Sequence, residues 1–185
     1  MTKQKRTVIA VCVAVFAGAI LYPGESARAT QAKGFTSTSL ITTFTPTFAD
    51  IQVFNHLTRK ELQELAPTYP DSTWTAFEKT QGPSDLYIQT NTWAPGGSSG
   101  WHRHPGHSLI VITSGTIVQY HADCTAEIYG PGTPNGPTLV DSGNDEHLIR
   151  NEDGKGASGY AVQIVAHGAP RRIDEPIAPD TCQIF

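Results

Sequence analysis

The run Gly97-Ser98-Ser99-Gly100-Trp101-His102-Arg103-His104-Pro105-Gly106-His107-Ser108, closing at Gly115, constrains this chain more than any other stretch. It places two imidazoles at i and i+2, ahead of a tight turn and an apolar run. On a β-strand those two positions share one face. His102 and His104 can therefore converge on one point, and imidazole is a common ligand for Zn, Cu, Fe and Ni. A third histidine, His147, follows a glycine-rich stretch and heads another strand-like segment, His147-Leu148-Ile149-Arg150-Asn151. The three together outline a metal site inside a β-barrel.

The surrounding sequence supports an all-β reading. Gly, Pro, Ser and Thr are scattered along the chain, with short β-branched and aromatic runs between them, the pattern of many short strands in a sandwich or barrel. Expected strands are Ser39–Phe44, Ile51–Phe54, Trp74–Lys79, Leu86–Trp93, Ser108–Thr113, Thr116–His121, Ala126–Tyr129, Thr138–Asp141, His147–Asn151 and Tyr160–Ala166. Gly115 lies where a tight hairpin turn between two of them would want it. One segment departs from the pattern. Thr58-Arg59-Lys60-Glu61 is a capping-box sequence, and Leu57, Leu62, Leu65 and Ala66 have helical spacing up to Pro67. It predicts one short helix over Arg59–Ala66.

The first 29 residues read as a leader rather than as fold. Lys3, Lys5 and Arg6 precede an apolar run from Val8 to Leu21. Pro23 and Gly24 break that run, and Ala27-Arg28-Ala29 fits a signal-peptide cleavage pattern. The run is short of the roughly 20 residues that span a membrane; the alternative is an uncleaved N-terminal anchor. Cleavage after Ala29 leaves a single domain, residues 30–185, with 9 basic and 16 acidic residues and a balance of −7. Such a chain is exported, periplasmic or secreted. Its acidity argues against nucleic-acid partners and gives no stable hold on an anionic membrane. Two cysteines stay with the domain, Cys124 and Cys182. An even count in an exported chain favours one disulfide, the alternative being two free thiols.

These residues resemble the cupin superfamily. Its first motif is a glycine, H-x-H, a glutamate and a closing glycine; His102-Arg103-His104 supplies H-x-H and Gly115 the close. Gly97 lies one residue too near His102, and Gly96 gives the usual gap. The second motif ends in H-x-x-x-N, matched by His147 and Asn151, while its P-x-G is replaced by Asp141-Ser142-Gly143. The tail Gly168-Ala169-Pro170-Arg171-Arg172-Ile173-Asp174-Glu175-Pro176 is similar to the ending of small bacterial cupin-type proteins, many of which also carry two cysteines placed as Cys124 and Cys182 are. The resemblance implies a jelly-roll β-barrel with one divalent metal inside, of which Fe, Mn, Zn, Ni and Cu all remain open. It also implies a homodimer as a common assembly.

The departure from the motif is chemical. The glutamate position holds Ser108, which leaves His102, His104 and His147 as the metal ligands. Three imidazoles keep the full charge of a divalent ion and leave positions open for water or substrate. His107 is a lesser candidate for a fourth ligand, since Pro105-Gly106 can reset the strand parity; Ser108 is a poor ligand better suited to a metal-bound water. Asn151 is expected to fix its loop or orient a ligand, Gln163 to point into the barrel, Trp93 and Trp101 to pack the core or line its mouth, and Arg103 and Arg150 to face outward. His56, His121 and His167 read as surface or structural. The functional expectation is a metal-dependent enzyme on a small molecule, dioxygenase-like, with catalytic residues unassigned. The alternative is a small-molecule-binding cupin in which the metal is absent or structural, and each histidine taken alone also reads as an ordinary buried core residue.

Overall fold

The computed structural model describes residues 30–184, so the leader expected over residues 1–29 lies outside the described residues. In chain order the elements are β1 (Lys33–Ser39), β2 (Thr47–Phe48), β3 (Gln52–Leu57), α1 (Arg59–Leu65), β4 (Trp74–Lys79), β5 (Ser84–Ser98), β6 (His102–Arg103) and β7 (Ser108–Ser114). They continue with β8 (Ile117–His121), β9 (Ala126–Tyr129), β10 (Thr138–Asp141), β11 (His147–Arg150), β12 (Ala157–Ala166) and β13 (Ile173–Asp174). The chain is mostly β, and one antiparallel sheet of eleven strands curls into a barrel-like jelly roll.

Alternation explains how the sheet faces itself. Along β12 the residues Ala157, Gly159, Ala161, Gln163 and Val165 are buried, and those between them are not. β12 lies between β5 and β7; β10 extends the layer past β7, and β1 extends it past β5. The opposite layer is centred on β11, which pairs with β8 on one side and β6 on the other. β9 flanks β8, and β13 flanks β6. The long β5 joins the layers, because its last residue, Ser98, pairs with Arg150 of β11.

Two clusters fill this frame. Trp93, Ile110, Ile112, Ile117, Leu139, Ile149, Ala157 and Ala161 pack together, with Phe35 against them. Each fully buried Ile is worth about 1.5–3 kcal/mol over an exposed one. The second cluster is Trp101, Leu148, Ala178 and Cys182. Leu148 has the opposite parity to His147 and Ile149, yet all three are buried. The C-terminal tail covers the Leu148 side, tied down by a Cys124–Cys182 disulfide 58 residues apart in sequence. The Trp101 indole donates to the Ile184 carbonyl at 2.9 Å. Trp101 therefore packs under the tail, whereas Trp93 lines the interior.

The helix forms as its cap predicts. Thr58 Oγ1 accepts from the Glu61 amide and the Glu61 carboxylate accepts from the Thr58 amide, a reciprocal capping box. Two strand expectations are corrected. The strand expected over Ser39–Phe44 runs instead over Lys33–Ser39, where a Thr/Ser-rich segment pairs with Gln89–Trp93 of β5. Its outward polar residues hid it, since β propensity in a half-exposed strand is carried by Thr as well as by Ile and Val. Gly115 does not close a hairpin either. β7 pairs with β10 and β12, and β8 with β9 and β11, so Gly115 turns the chain from one layer to the other. It does so at φ +69°, where an added Cβ would lie 2.5 Å from the Gly156 carbonyl oxygen. Among the described residues, no helix is long and apolar enough to cross a membrane.

Candidate metal centre

Three imidazoles, two on strands and one just past the end of β6, meet at one end of the barrel interior. His102 pairs directly with His147 across β6 and β11, and their ring centroids are 4.3 Å apart. His104 lies 4.9 Å from His102 and 5.4 Å from His147 by the same measure. One nitrogen from each ring lies within 4.8 Å of the others. The structure brings the three sequence-predicted ligands together.

Backbone carbonyls decide which nitrogen each ring offers. His102 Nδ1 donates to the Gly100 carbonyl at 2.9 Å, His104 Nδ1 to Arg171 at 2.6 Å and His147 Nδ1 to Asp145 at 2.9 Å. A carbonyl only accepts, so each Nδ1 carries a proton, which leaves Nε2 as the nitrogen each ring can offer a metal. Burial in the barrel pushes His102 well below the ordinary imidazole value, with the neighbouring His147 adding to the effect. Burial also lowers His147, against the opposing pull of Asp141. Both rings are then neutral at pH 7, the form that ligates metals.

The structure adds a residue that the sequence reading placed at the end of a strand without a role at the centre. Asp141, at the end of β10, is buried, with Oδ2 3.3 Å from His104 Nε2 and 3.7 Å from His147 Nε2. Neither contact is a hydrogen bond, and both Asp141 Oδ2 and His147 Nε2 are buried without a hydrogen-bond partner. Asp141 Oδ1 is occupied, accepting from the Gly143 amide at 2.9 Å. Gly143 holds this corner at φ +112°, and its carbonyl accepts from the His104 amide at 3.4 Å. Acceptors that face one another in a dry site are unfavourable unless a proton or a cation stands between them. Two ligands on one metal, with bonds of about 2.1 Å, lie about 3.0–3.4 Å apart, which is the Asp141–His104 spacing. The three imidazoles fit a divalent cation, and Asp141 Oδ2 lies beside two of them.

The sequence reading gives an all-imidazole site carrying the full charge of the ion, and the structure sets one carboxylate beside it, from the neighbouring strand. The signal was visible as an acidic residue in the place of the second motif's proline, in Asp141-Ser142-Gly143, beside a first motif short of its glutamate.

The remaining candidates sort by position. His107 turns away from the centre: it is partly exposed and lies 3.7 Å from Glu78. Ser108 is buried and lines the cavity with the three histidines. Gln163 points inward as expected, and its Nε2 donates to the Arg171 carbonyl at 3.0 Å. Asn151 is fully buried and donates to the Trp93, Ala94 and Lys155 carbonyls, so it fixes its loop and does not touch His147. Arg103 faces outward to Glu175 at 2.8 Å. His56 contacts Thr75, His121 lies near Glu127 and His167 contacts Asp85, all away from the centre.

No protein-family model matches the chain, and no curated protein matches it in sequence. Among solved structures, the chain is similar to the polyketide cyclase RemF from Streptomyces resistomycificus, at 17% identity over 82% of this chain and 80% of that one, TM-score 0.47. It is similar to a cupin superfamily protein from Desulfitobacterium hafniense DCB-2, at 18% identity over 43% of this chain and 67% of that one, TM-score 0.37. It is also similar to a DMSP lyase, at 20% identity over 52% of this chain and 45% of that one, TM-score 0.41. The match spans less than half of the lyase chain. These likenesses are partial. What carries the fold is the chain's own geometry: H-x-H opening on β6 and His147 on β11, with His102 and His147 paired inside one curled antiparallel sheet. The barrel has the layout that the resemblance to cupins implies. In it, the first-motif glutamate position on β7 is Ser108, and the carboxylate stands on β10.

Proposed function

We propose that this chain is an exported, metal-dependent cupin enzyme acting on a small molecule inside the barrel. The observation that carries the reading is the convergence of one nitrogen each from His102, His104 and His147, with the orphaned Asp141 Oδ2 beside them. His102, His104, His147 and Asp141 would hold the ion. Bound there, it would supply Lewis acidity and a position for water, oxygen or substrate. The three histidines line a cavity, so the site has a side that faces the interior, where a substrate would enter. An open position on the cavity side suits catalysis better than a closed structural site.

Fe, Mn, Zn, Ni and Cu all accept three imidazoles and a carboxylate, so the donor set does not choose among them. The disulfide fits an oxidising compartment, in line with export. The test is metal analysis of untagged protein purified from the exported fraction, followed by an O2-uptake screen before and after chelation. One bound ion per chain is expected, with turnover lost on chelation. Metal-free protein that still binds its ligand would instead make it a receptor.

A further inference from the structure

The histidine centre forms one side of a small cavity of about 60 Å³. A water needs roughly 10–15 Å³ by the same measure, so the space suits about four to six non-hydrogen atoms. Its walls mix apolar side chains with polar groups that a solvent-free core would lack. Asn91 Oδ1, Trp93 Nε1 and Gln163 Oε1 are all buried without hydrogen-bond partners, and all three residues line the cavity. Trp93 Nε1 can only donate, so it calls for an acceptor from whatever fills the space.

Arg171 supplies the charge. Its Nη1 donates to Gln89 Oε1 and Ser37 Oγ, both neutral. Its guanidinium lies 5.7 Å from the Tyr87 ring centroid. The neighbouring cations are compensated: Arg103 pairs with Glu175, and Arg172 with Asp174. Among the described residues, Arg171 has no carboxylate partner. The residues lining the cavity include no acid. A half-buried guanidinium keeps a fork of donors matched to a carboxylate, and leaving it uncompensated is costly. Its position is also fixed relative to the centre, because the Arg171 carbonyl accepts from both His104 Nδ1 and Gln163 Nε2.

We propose that the cavity binds a small organic acid as its anion, with Arg171 holding the carboxylate at one side and the rest of the acid facing the histidine centre. The inference rests on the metal reading only for the end at which the acid would react. The volume suits acids of acetate or pyruvate size.

Calorimetric titration with acetate and pyruvate tests this, with acetamide as the neutral match to acetate. Metal-loaded wild-type protein is expected to bind both anions and to bind acetamide at least tenfold more weakly. Arg171→Gln should lower anion affinity at least tenfold at unchanged metal content, and Arg171→Lys should recover part of it. The unchanged metal content and the lysine variant exclude simple misfolding. Equal binding of acetate and acetamide, or undiminished anion affinity in Arg171→Gln, overturns the proposal while the metal reading stands. Conversely, His102→Ala protein that holds no metal but still binds pyruvate through Arg171 supports the anion site independently of the metal.

Discussion

Ser108 and Asp141 stand directly opposite each other across the β7–β10 ladder. Opposed side chains in an antiparallel pair have Cβ atoms only about 4.5–5.5 Å apart. A carboxylate missing from position 108 can thus be replaced from position 141 with little change in where its oxygen lies. Asp141 Oδ2 does point at the histidines, at 3.3 Å from His104 Nε2.

The exchange predicts a rescue. Asp141→Asn keeps the side-chain volume and an oxygen for the Gly143 amide but removes the charge. Metal affinity should fall by about tenfold or more, given that even partners one step removed from a metal are worth about 10–100-fold. Adding Ser108→Glu to that variant should restore part of the loss. Competition with a chromophoric chelator measures both; unchanged affinity in Asp141→Asn would remove it from the ligand set.

His147 offers the most direct test of the centre. Its Nδ1 is spent on the Asp145 carbonyl and its Nε2 has no hydrogen-bond partner, so its free valence serves nothing in the protein itself. His147→Ala should lower metal affinity by about 100-fold or more while circular dichroism keeps its β signature. Elemental analysis of the dialysed variant reads the outcome. Full metal occupancy there would mean that the three rings are core residues.

The disulfide should matter for stability and little for the centre. Closing a loop of 58 residues is worth about 4 kcal/mol by the chain-entropy relation. Cys182→Ser should accordingly lower the melting temperature by about 10 °C for a domain of this size. Metal content should hold, because no ligand lies on the tail. A melting curve under reducing conditions should reproduce the same drop in the wild-type protein.

Asp85 gives a pH-dependent contribution. Thr47 Oγ1 donates to its Oδ1 at 2.6 Å, His167 Nδ1 contacts the same oxygen at 2.8 Å, and the Gly168 amide donates to Oδ2 at 3.0 Å. The Thr47 hydroxyl, first, and then His167 and Gly168 lower its pKa from 3.8 to about 2, against the opposing effect of burial. A carboxyl more acidic in the folded state than in the unfolded one stabilises the fold above its unfolded pKa, and that contribution is lost as the pH falls through the folded value. The stability difference between wild type and Asp85→Asn should be constant above about pH 5, at about 2 kcal/mol for hydrogen bonds to a charged group. It should shrink between about pH 4 and pH 2. Urea titrations across that range check it; a difference independent of pH would mean that the charge contributes nothing.

Much of the site was legible because it is local. H-x-H on a strand puts two imidazoles on one face whatever surrounds it, and the second-motif histidine carried its own strand. The capping box at Thr58 and Glu61 was legible for the same reason, being complete within four residues. Other features depend on residues distant in sequence. β1 was misplaced because Lys33–Ser39 has no apolar period of its own and becomes a strand by pairing with β5. Gly115 was read as a hairpin because nothing near it says that β7 and β8 join different layers. Arg171 was only part of a familiar tail until the fold set it beside Gln89 and Ser37.

By itself the sequence determined an all-β chain, three histidines able to meet and two cysteines able to pair, because strand parity and residue chemistry are written in neighbouring positions. The tertiary structure alone decided that β10 lies beside β7, which puts Asp141 where Ser108 could not serve. It likewise decided that a cation from the C-terminal tail lines the interior. Both follow from strand order, and strand order is fixed by which apolar faces are buried together over the whole chain rather than by any one segment.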